Sequence, residues 1–425
     1  MNIYNVKKFT RNDSVIEVSV PASKSILNRA LVLSAFSEGK IKLVCGSFAQ
    51  DTRVLLGCLA SLGIRTETDA ESVTVYGCGG KIPVRQSNLY VGSAGTAARF
   101  LTVMLAFCGG EYYFTSSEQM EKRPMDVLHL LEGYGVEFEF SGEPYHFPFF
   151  MKSKGIEADE MTVDTDKSTQ YASGILLAAA IGKKPFSLTL TGTRTQGSYI
   201  GLTLDLLNSF GVKTEQTSNS VKVYPAPPFL SSYTVEPDLS GACYFYALAL
   251  LLQTKVLVRR VHENSRQGDA RFLQLLKEKG VQFTPQKNGL LADGSNVANY
   301  MGFDVDMGDF SDQTLTVAVL AAFAATPSRL FGIGHIRLQE CDRIAAVCNN
   351  LTALGVPASF DGKNLSISPA PVRGGTVKTY EDHRVAMAFA LMGLKTGNIG
   401  IENPDCCKKT FENYFEIITE LTKQA

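Results

Sequence analysis

Residues 59–64 are Leu-Ala-Ser-Leu-Gly-Ile, and this pattern, Leu-x-x-x-Gly followed by Val or Ile, recurs along the chain. Its glycines lie at spacings of roughly 69–76 residues: Gly63, Gly135, Gly211, Gly280 and Gly355. A helix that stops at a glycine and continues into a strand fits each copy, because glycine readily adopts the left-handed conformation that ends helices. Repetition this even predicts a duplicated architecture, not five accidental helix ends.

A second kind of helix recurs in register with the first. Its copies open with small or polar residues and continue as short, alanine-rich apolar stretches; they begin near Ser23, Ser93, Ser168, Ser240, Ser311 and Glu381. Helices that are apolar nearly all round are buried. A last amphipathic helix over residues 411–421 would complete a sixth repeat. Each repeat then combines a buried helix, an amphipathic helix and short strands, which predicts an α/β (α+β) fold.

Six repeats in 425 residues favour two domains of three repeats each, since a single core rarely grows this large. One boundary is expected in the proline-rich segment 225–237. The segment before Pro21 is interpreted as a lone strand that completes the C-terminal domain. The predicted domains are therefore 22–236, and 1–21 together with 237–425.

Composition excludes several classes of function. The formal net charge is −1, which argues against general binding to nucleic acid or anionic membranes. The nine cysteines form no Cys-x-x-Cys pair and the five histidines are scattered, so we expect reduced thiols in a cytoplasm and no metal site. We see neither a signal peptide nor an apolar run of the ~20 residues that span a bilayer.

Reactive residue types collect at predicted helix starts. Free backbone N–H groups and the helix dipole make such ends anion sites. Serines and threonines there also serve as ordinary N-caps. Lys24, Arg123, Arg343 and Lys409 differ, because a cation within the first turn opposes the dipole. A bound polyanion is the simpler explanation for them, and without a Walker A or dinucleotide-binding pattern it would be held by several helix ends.

Seven short motifs occur in order over most of the chain and together resemble the 5-enolpyruvylshikimate-3-phosphate (EPSP) synthase family. They are Pro21-Ala-Ser-Lys-Ser25 with Arg29, Gly92–Arg99 (GSAGTAAR), Arg123-Pro-Met125, Ser168-Thr-Gln170, Glu340-Cys-Asp-Arg343, Asp382-His-Arg-Val-Ala386 and Lys409-Thr-Phe411. Each motif alone is weak, but seven in order are specific.

The resemblance implies both fold and reaction. The fold would be the two-domain enolpyruvyl transferase fold, with three βαβαββ units per domain in an inverse α/β barrel-like arrangement. Helix N-termini would point into the cleft between the domains. In the reaction, the 5-hydroxyl of shikimate 3-phosphate attacks C2 of phosphoenolpyruvate and C3 takes a proton, and the tetrahedral adduct then loses phosphate. The resemblance also implies a monomer that needs no cofactor and serves the shikimate pathway of aromatic amino acid biosynthesis.

Site residues follow by resemblance. The catalytic candidates are Lys24, Asp312 and Glu340. Phosphoenolpyruvate would be bound by Lys24, Gly95, Arg123, Gln170, Arg343, Arg384 and Lys409. Shikimate 3-phosphate would be bound by Lys24, Ser25, Arg29, Ser168, Thr169, Gln170, Asp312 and Gln339. Arginine suits this task because it grips phosphate and carboxylate groups with planar, bidentate geometry.

Three positions depart from the family pattern. Gln339 stands where the family usually has a lysine that touches substrate, Ser93 replaces the usual Asn, and Gln196 stands where a phosphate-contacting serine is common. Two alternatives therefore stay open: a catalytically impaired homologue that only binds the metabolites, and a UDP-N-acetylglucosamine enolpyruvyl transferase. Gly95 leaves room beside the phosphoenolpyruvate site, so we also expect sensitivity to the herbicide glyphosate, as in family members with glycine there.

Overall fold

The computed structural model describes residues 2–10, 14–166, 168–227 and 230–423. In chain order its strands β1 to β23 are Ile3–Val6, Ile16–Val18, Glu38–Val44, Thr66–Thr68, Ser72–Cys78, Gln86–Tyr90, Gly110–Thr115, Glu137–Phe140, Phe149–Ser153, Glu160–Asp164, Phe186–Thr191, Lys213–Gln216, Ser220–Tyr224, Ser232–Thr234, Lys255–Arg259, Gln282–Gln286, Gly289–Asp293, Asp304–Asp306, Ser328–Phe331, Ala358–Phe360, Leu365–Ile367, Gly375–Val377 and Ile399–Glu402.

The α-helices α1 to α13 are Lys24–Phe36, Gln50–Ser61, Gly95–Cys108, Glu118–Glu121, Val127–Glu132, Thr169–Ala180, Ser198–Ser209, Leu239–Leu252, Ala270–Glu278, Thr314–Ala321, Arg343–Ala353, His383–Thr396 and Tyr414–Leu421. Short 3-10 helices span Ser311–Gln313, Gly334–Leu338 and Pro404–Lys409.

Five helix ends form as the glycine pattern predicts. The five pattern glycines have φ values between 74° and 97°. In each copy the amide of the Val or Ile after glycine donates to the carbonyl of the pattern leucine, at 2.8 to 3.3 Å. The amide of Ile64, for example, lies 2.9 Å from the carbonyl oxygen of Leu59. This bond defines the Schellman motif, which requires a left-handed residue at the glycine position.

The alanine-rich helices are buried, as their composition predicts. Every residue of α10 is buried, and α8 is buried except at Ser240. Helices α1, α3 and α6 lie in one hydrophobic core, whereas α8, α10 and α12 lie in another. Burial on all sides explains why their sequences lack a polar face.

The described residues form six small sheets. Five of them share one strand order, in which a parallel pair is followed by two antiparallel strands: β6-β7-β9-β8, β10-β11-β13-β12, β18-β19-β21-β20, β14-β3-β5-β4 and β2-β15-β17-β16. The sixth joins β22, β23 and β1. A parallel pair requires a crossover connection, and in β6-α3-β7 and its equivalents the buried helix supplies it.

Three sheets take one strand from a distant part of the chain, and in one of them β1 pairs with β23. Strand β2 directly precedes α1 and β3 yet pairs in parallel with β15, while β14 precedes α8 and β15 yet pairs with β3. The N-terminal segment therefore contains two strands, β1 and β2, and the prediction of a lone strand is wrong. Strand β2 is only three residues long, with Ile16 and Val18 buried and Glu17 exposed. So short an alternation gives little signal of its own.

The chain divides into two compact units. The N-terminal unit is Ala22–Glu236; the C-terminal unit combines Met1–Pro21 with Pro237–Ala425. Each unit has its own hydrophobic core and three of the six sheets. Residues 228 and 229 of the proline-rich segment lie outside the described residues.

Within the described ranges, no helix combines the length and apolar character needed to cross a membrane. Among the same residues, no group of three or more His, Cys, Asp or Glu side chains is placed to hold a metal ion.

Candidate active site

The C-terminal unit brings together six predicted site residues on short segments that begin or end helices. They are Asp312 in the 3-10 helix Ser311–Gln313, Gln339 and Glu340 before α11, Arg343 and Arg384 in the first turns of α11 and α12, and Lys409 at the end of the 3-10 helix Pro404–Lys409. Arg343 and Arg384 lie on regular helices, and the 3-10 segments that carry Asp312 and Lys409 contact α10 and α12, so these side chains start from rigid backbone.

Arg343 is the centre of this cluster, and its side chain is 1% exposed. Its Nε donates to Asp382 Oδ2 at 2.7 Å, its Nη1 to Asp312 Oδ1 at 3.1 Å and its Nη2 to Glu340 Oε2 at 2.8 Å. Nη1 also donates to the Gln339 amide oxygen. One guanidinium thus holds three carboxylates and an amide in fixed positions, as its planar fork of donors allows.

Two further cations complete the cluster. Arg384 Nη2 donates to Asp312 Oδ2 at 2.7 Å, and Lys409 Nζ donates to Glu340 Oε1 at 3.0 Å. Both oxygens of Asp312, and both of Glu340, therefore accept from cations. The candidate acid and the candidate base are held by different outer cations and share Arg343.

Asp382 ties this cluster to a helix start. Its Oδ1 accepts from the backbone N–H of Arg384 at 2.8 Å, which makes it the N-cap of α12, while its Oδ2 accepts from Arg343. Asp342 caps α11 similarly by accepting from Ala345 N–H at 3.0 Å. The two caps orient Arg343 and Arg384 through the helices that carry them.

The charges of the cluster balance. Arg343, Arg384 and Lys409 face Asp312, Glu340 and Asp382. Burial lowers the pKa of Arg343, but the charges of the three carboxylates outweigh burial and raise its pKa above the ordinary value. The guanidinium therefore stays charged, and removing it would leave buried carboxylates without their partner.

The N-terminal unit contains the other eight predicted site residues: Lys24, Ser25, Arg29, Gly95, Arg123, Ser168, Thr169 and Gln170. Lys24 is the first residue of α1. Its Nζ lies 3.2 Å from Asp51 Oδ2, at the start of α2, and its side chain is 18% exposed. The carboxylate offsets the conflict between a cation and the helix dipole, and part of the side chain remains accessible.

Gly95 lies where three charged or polar side chains converge. A Cβ placed on it would lie 2.7 Å from Arg99 Nη1 and 3.1 Å from Arg123 Nη1. Arg99 Nη1 also donates to Gln170 Oε1 at 3.0 Å, which joins the starts of α3 and α6. Only a residue without a side chain lets both guanidinium groups approach this helix start so closely.

The start of α6 supplies hydroxyl groups. Ser168 is its N-cap and accepts from Gln170 N–H at 3.2 Å, while Thr169 is buried. The start of α7 lies nearby, since a Cβ on Gly197 would lie 3.6 Å from Thr169 Cγ2. Two helix N-termini with their free N–H groups thus meet at these hydroxyl groups, an arrangement suited to an anion.

Arg29 is buried, and most of its donors bind the protein itself. It donates to Thr203 Oγ1 and the Ser25 carbonyl at 2.8 Å each, to Ser173 Oγ at 3.0 Å and to the Tyr199 carbonyl at 3.4 Å. Burial lowers its pKa to about 10 despite the opposing influence of Tyr199. These bonds use four of its five N–H groups and join α1, α6 and α7, so at most one N–H is left for a ligand.

Gln196, one of the departures from the family pattern, contacts a hairpin. Its Nε2 donates to the carbonyls of Thr217 and Ser218 at 3.0 and 2.9 Å, between β12 and β13. The side chain therefore stabilises this turn. Ser198, two residues later, is the first residue of α7.

Two positional predictions need correction. Lys409 does not open an amphipathic helix: it ends a 3-10 helix, and α13 begins only at Tyr414. Arg123 precedes α5, whose first residue is Val127. Proline at 124 and a 3-10 segment that begins at Pro404 alter the local boundaries, which periodicity alone does not resolve.

Sequence reasoning missed three participants. Arg99 lies inside a quoted motif, four residues after Gly95, so helical spacing was a usable signal. Asp51 lies in the first turn of α2, and nothing in the sequence marks it as the partner of Lys24. Asp382 opens its motif, yet nothing in the sequence indicates that its carboxylate binds Arg343 across 39 residues.

Solved structures show which fold this is. The 2.37 Å structure of EPSP synthase from Acinetobacter baumannii matches with a TM-score of 0.80 and 22% identity, covering 99% of this chain and 98% of that one. The chain thus has the two-domain enolpyruvyl transferase fold.

Sequence comparison identifies the family. The family model described as EPSP synthase (3-phosphoshikimate 1-carboxyvinyltransferase) matches residues 11–418. A 3-phosphoshikimate 1-carboxyvinyltransferase from Nostoc punctiforme is 35% identical over 96% of both chains, and one from Janthinobacterium sp. is 34% identical over 96% of this chain and 95% of its own. The chain belongs to the EPSP synthase family.

Proposed function

We propose that this chain is a 3-phosphoshikimate 1-carboxyvinyltransferase, which transfers the enolpyruvyl group of phosphoenolpyruvate to the 5-hydroxyl of shikimate 3-phosphate and releases phosphate. Besides family membership, one observation carries the proposal: Arg343 holds Asp312 and Glu340 in one buried cluster. The reaction needs a base for the hydroxyl and an acid for C3, and these carboxylates supply both.

Asp312 is the proposed base. Its two oxygens accept from Arg343 and Arg384, so it is held as an oriented carboxylate. The hydroxyl proton passes to Asp312 while the hydroxyl oxygen bonds to C2 of phosphoenolpyruvate. A fixed orientation lowers the barrier because the base needs no reorganisation at the moment of transfer.

Glu340 is the proposed acid. It delivers a proton to C3 as the C2–oxygen bond forms, and takes one back when the C2–O bond to phosphate breaks. The departing phosphate takes up the proton that Asp312 received from the hydroxyl, so both carboxyl groups return to their starting forms. In the structure its oxygens accept from Arg343 and Lys409. The phosphate and carboxylate of phosphoenolpyruvate compete for these cations, which frees an oxygen of Glu340 to carry the proton.

The remaining residues are proposed to hold anions. For phosphoenolpyruvate they are Lys24, Gly95, Arg123, Gln170, Arg343, Arg384 and Lys409, with Lys24 also stabilising the departing phosphate. For shikimate 3-phosphate they are Lys24, Ser25, Arg29, Ser168, Thr169, Gln170, Asp312 and Gln339. The convergence of Arg99, Arg123 and Gln170 at Gly95 supports the first group, and the paired helix starts at Thr169 support the second.

Gln339 acts as an acceptor for Arg343 in this proposal. A lysine there would place a further cation against a buried guanidinium that already has Arg384 and Lys409 nearby. The amide instead adds a neutral acceptor to Arg343. We therefore propose that the departure from the family pattern is compatible with catalysis, in a cytoplasmic monomer that needs no cofactor.

The test is phosphate release by the purified protein with both substrates and with each omitted in turn. Release that requires both, and that falls strongly in Glu340→Ala, supports the proposal. Without any release, restoration by Gln339→Lys would indicate an impaired synthase.

Two further outcomes separate the alternatives. Binding of both metabolites without turnover by either protein would favour a silent homologue. Turnover with UDP-N-acetylglucosamine in place of shikimate 3-phosphate would reassign the acceptor.

A further inference from the structure

A buried carboxyl group outside the proposed machinery lies beside it. Asp269 precedes α9 in the C-terminal unit and is 6% exposed. Its carboxylate accepts from the hydroxyl of Ser240, the second residue of α8. A carboxyl group is rarely buried without a specific partner, and the reaction scheme above gives it no task.

A hydrogen-bonded path leads from Asp269 to the candidate base. The Ser240 carbonyl accepts from Gln313 Nε2 at 3.4 Å, and Gln313 directly follows Asp312 in the 3-10 helix. The amide oxygen of Gln313 in turn accepts from Thr316 Oγ1 at 3.0 Å. Because Gln313 is fully buried, both of its contacts fix the turn that presents Asp312.

Charged and titratable groups face Asp269 from each element packed around it. Asp238 and Cys243 belong to the start of α8, Asp312 to the 3-10 helix, and Arg384 to α12. Burial, followed by the charge of Asp312, raises the pKa of Asp269 to about 7, while Arg384 and the Ser240 hydroxyl oppose the rise. Near neutral pH this carboxyl group therefore exists in both forms.

We propose that Asp269 is a positioning residue for the reaction, which acts through Ser240 and Gln313 on the turn of Asp312 and through its charge on Arg384. The inference rests on the proposed function. When Asp269 is protonated, the charge of Arg384 is available to Asp312 and to substrate anions. When it is ionised, a second buried carboxylate competes for Arg384 and repels those anions.

The consequence is a decline of kcat/KM for phosphoenolpyruvate as pH rises through neutrality. Asp269→Asn should abolish this decline, the alkaline limb of the pH profile, because asparagine keeps the shape of aspartate and stays neutral. The ratio of kcat/KM in the variant to that in the wild type should rise roughly tenfold between pH 6 and pH 8, the change expected of one controlling ionisation near neutrality. Substrate ionisations are common to both proteins and cancel in the ratio.

Ser240→Ala is the second variant, in case Asp269→Asn does not fold. It removes a donor that favours the carboxylate, so the limb should move to higher pH. Asp304→Asn is the matched control, since Asp304 pairs with Arg329 at the surface at 2.8 Å and its ratio should stay flat. Flat ratios for Asp269→Asn and Ser240→Ala, in an active wild-type enzyme, would overturn the inference.

A second readout needs no turnover. Burial raises the pKa of Asp269 to about 7 in the folded protein, above its value in the unfolded chain. The free energy of unfolding therefore falls as pH rises between these two pKa values, because the unfolded chain loses its proton more easily. The difference between the Tm of Asp269→Asn and the Tm of the wild type should therefore increase in favour of the variant from pH 5 to pH 8. A wild type without turnover means that the proposed function has failed; a pH-independent Tm difference means that the assignment of Asp269 has failed.

Discussion

The two units share the same structural repeat but carry different charged and polar side chains at their helix starts. In the C-terminal unit, three cations are balanced by three carboxylates around Arg343. The corresponding helix starts of the N-terminal unit present mainly cations, hydroxyl groups and an amide, with Asp51 as the carboxylate that contacts Lys24. In the proposed function, one scaffold thus supplies both a cluster for proton transfer and a cluster that holds anions. The residues at the helix starts, not the fold, decide the difference.

The largest expected effect tests the acid–base side of this comparison. Glu340→Gln keeps the shape and most contacts but cannot donate the proton, so kcat should fall about 10²–10⁴-fold with a smaller change in KM. Steady-state kinetics with both substrates measure this effect. Glu381→Gln is the control, because Glu381 is exposed and accepts from Asn403 at 2.7 Å, so its kcat should be unchanged. If Glu340→Gln kept the kcat of the wild type, the proposed proton-transfer role of the C-terminal cluster would be wrong.

The anion-holding side is tested by Arg123→Gln. Losing one charge-assisted contact should lower kcat/KM for phosphoenolpyruvate roughly 10- to 150-fold, about 1.5–3 kcal/mol. We expect most of the loss in KM, since the contact forms in the ground state as well. Arg65→Gln, which alters an exposed arginine paired with Glu67, should be neutral. If kcat fell instead, Arg123 would belong with the acid–base groups.

A smaller effect is expected from crowding the helix start at Gly95. The methyl group of Gly95→Ala must displace the ends of Arg99 and Arg123, at a cost of about 1–3 kcal/mol. The KM for phosphoenolpyruvate should rise, and glyphosate inhibition should weaken. Inhibition curves at several phosphoenolpyruvate concentrations measure both. Gly201→Ala, where no atom lies within 4 Å of the new Cβ, is the matched control; unchanged inhibition in Gly95→Ala would contradict the expectation.

The smallest effect concerns what the units share. Gly135→Ala and Gly280→Ala, one in each unit, place a side chain at φ 83° and 97°, which should cost about 1–2 kcal/mol in the free energy of unfolding. Gly280→Ala should cost slightly more, because its Cβ would lie 3.3 Å from Val297. Urea unfolding measures both values. Gly57→Ala, in the interior of α2, should instead stabilise the protein. Equal behaviour of all three would contradict a shared helix-ending role.

Much of the fold was predictable because its helix ends and buried helices depend on short stretches of sequence. Helix ends depend on backbone conformation within six residues, so Gly63 and its equivalents mark them reliably. The burial of α8 and α10 follows from composition in the same way. The exchange of β2 and β14 was not predictable, because strand pairing depends on partners more than 180 residues away and these strands have only three residues each.

The candidate site also has features that follow from the local sequence and features that depend on distant residues. The sequence by itself determined the repeat, the helix starts that carry Lys24, Arg343 and Arg384, and the resemblance to a family, because these depend on residue type and order. Only the tertiary structure decided that Gln339 accepts from Arg343, that Arg29 donates to three helices, and that Asp269 is connected to the turn of Asp312 through Ser240 and Gln313. Hydrogen bonds and charges act over a few ångströms in space, whatever the separation of the residues along the chain.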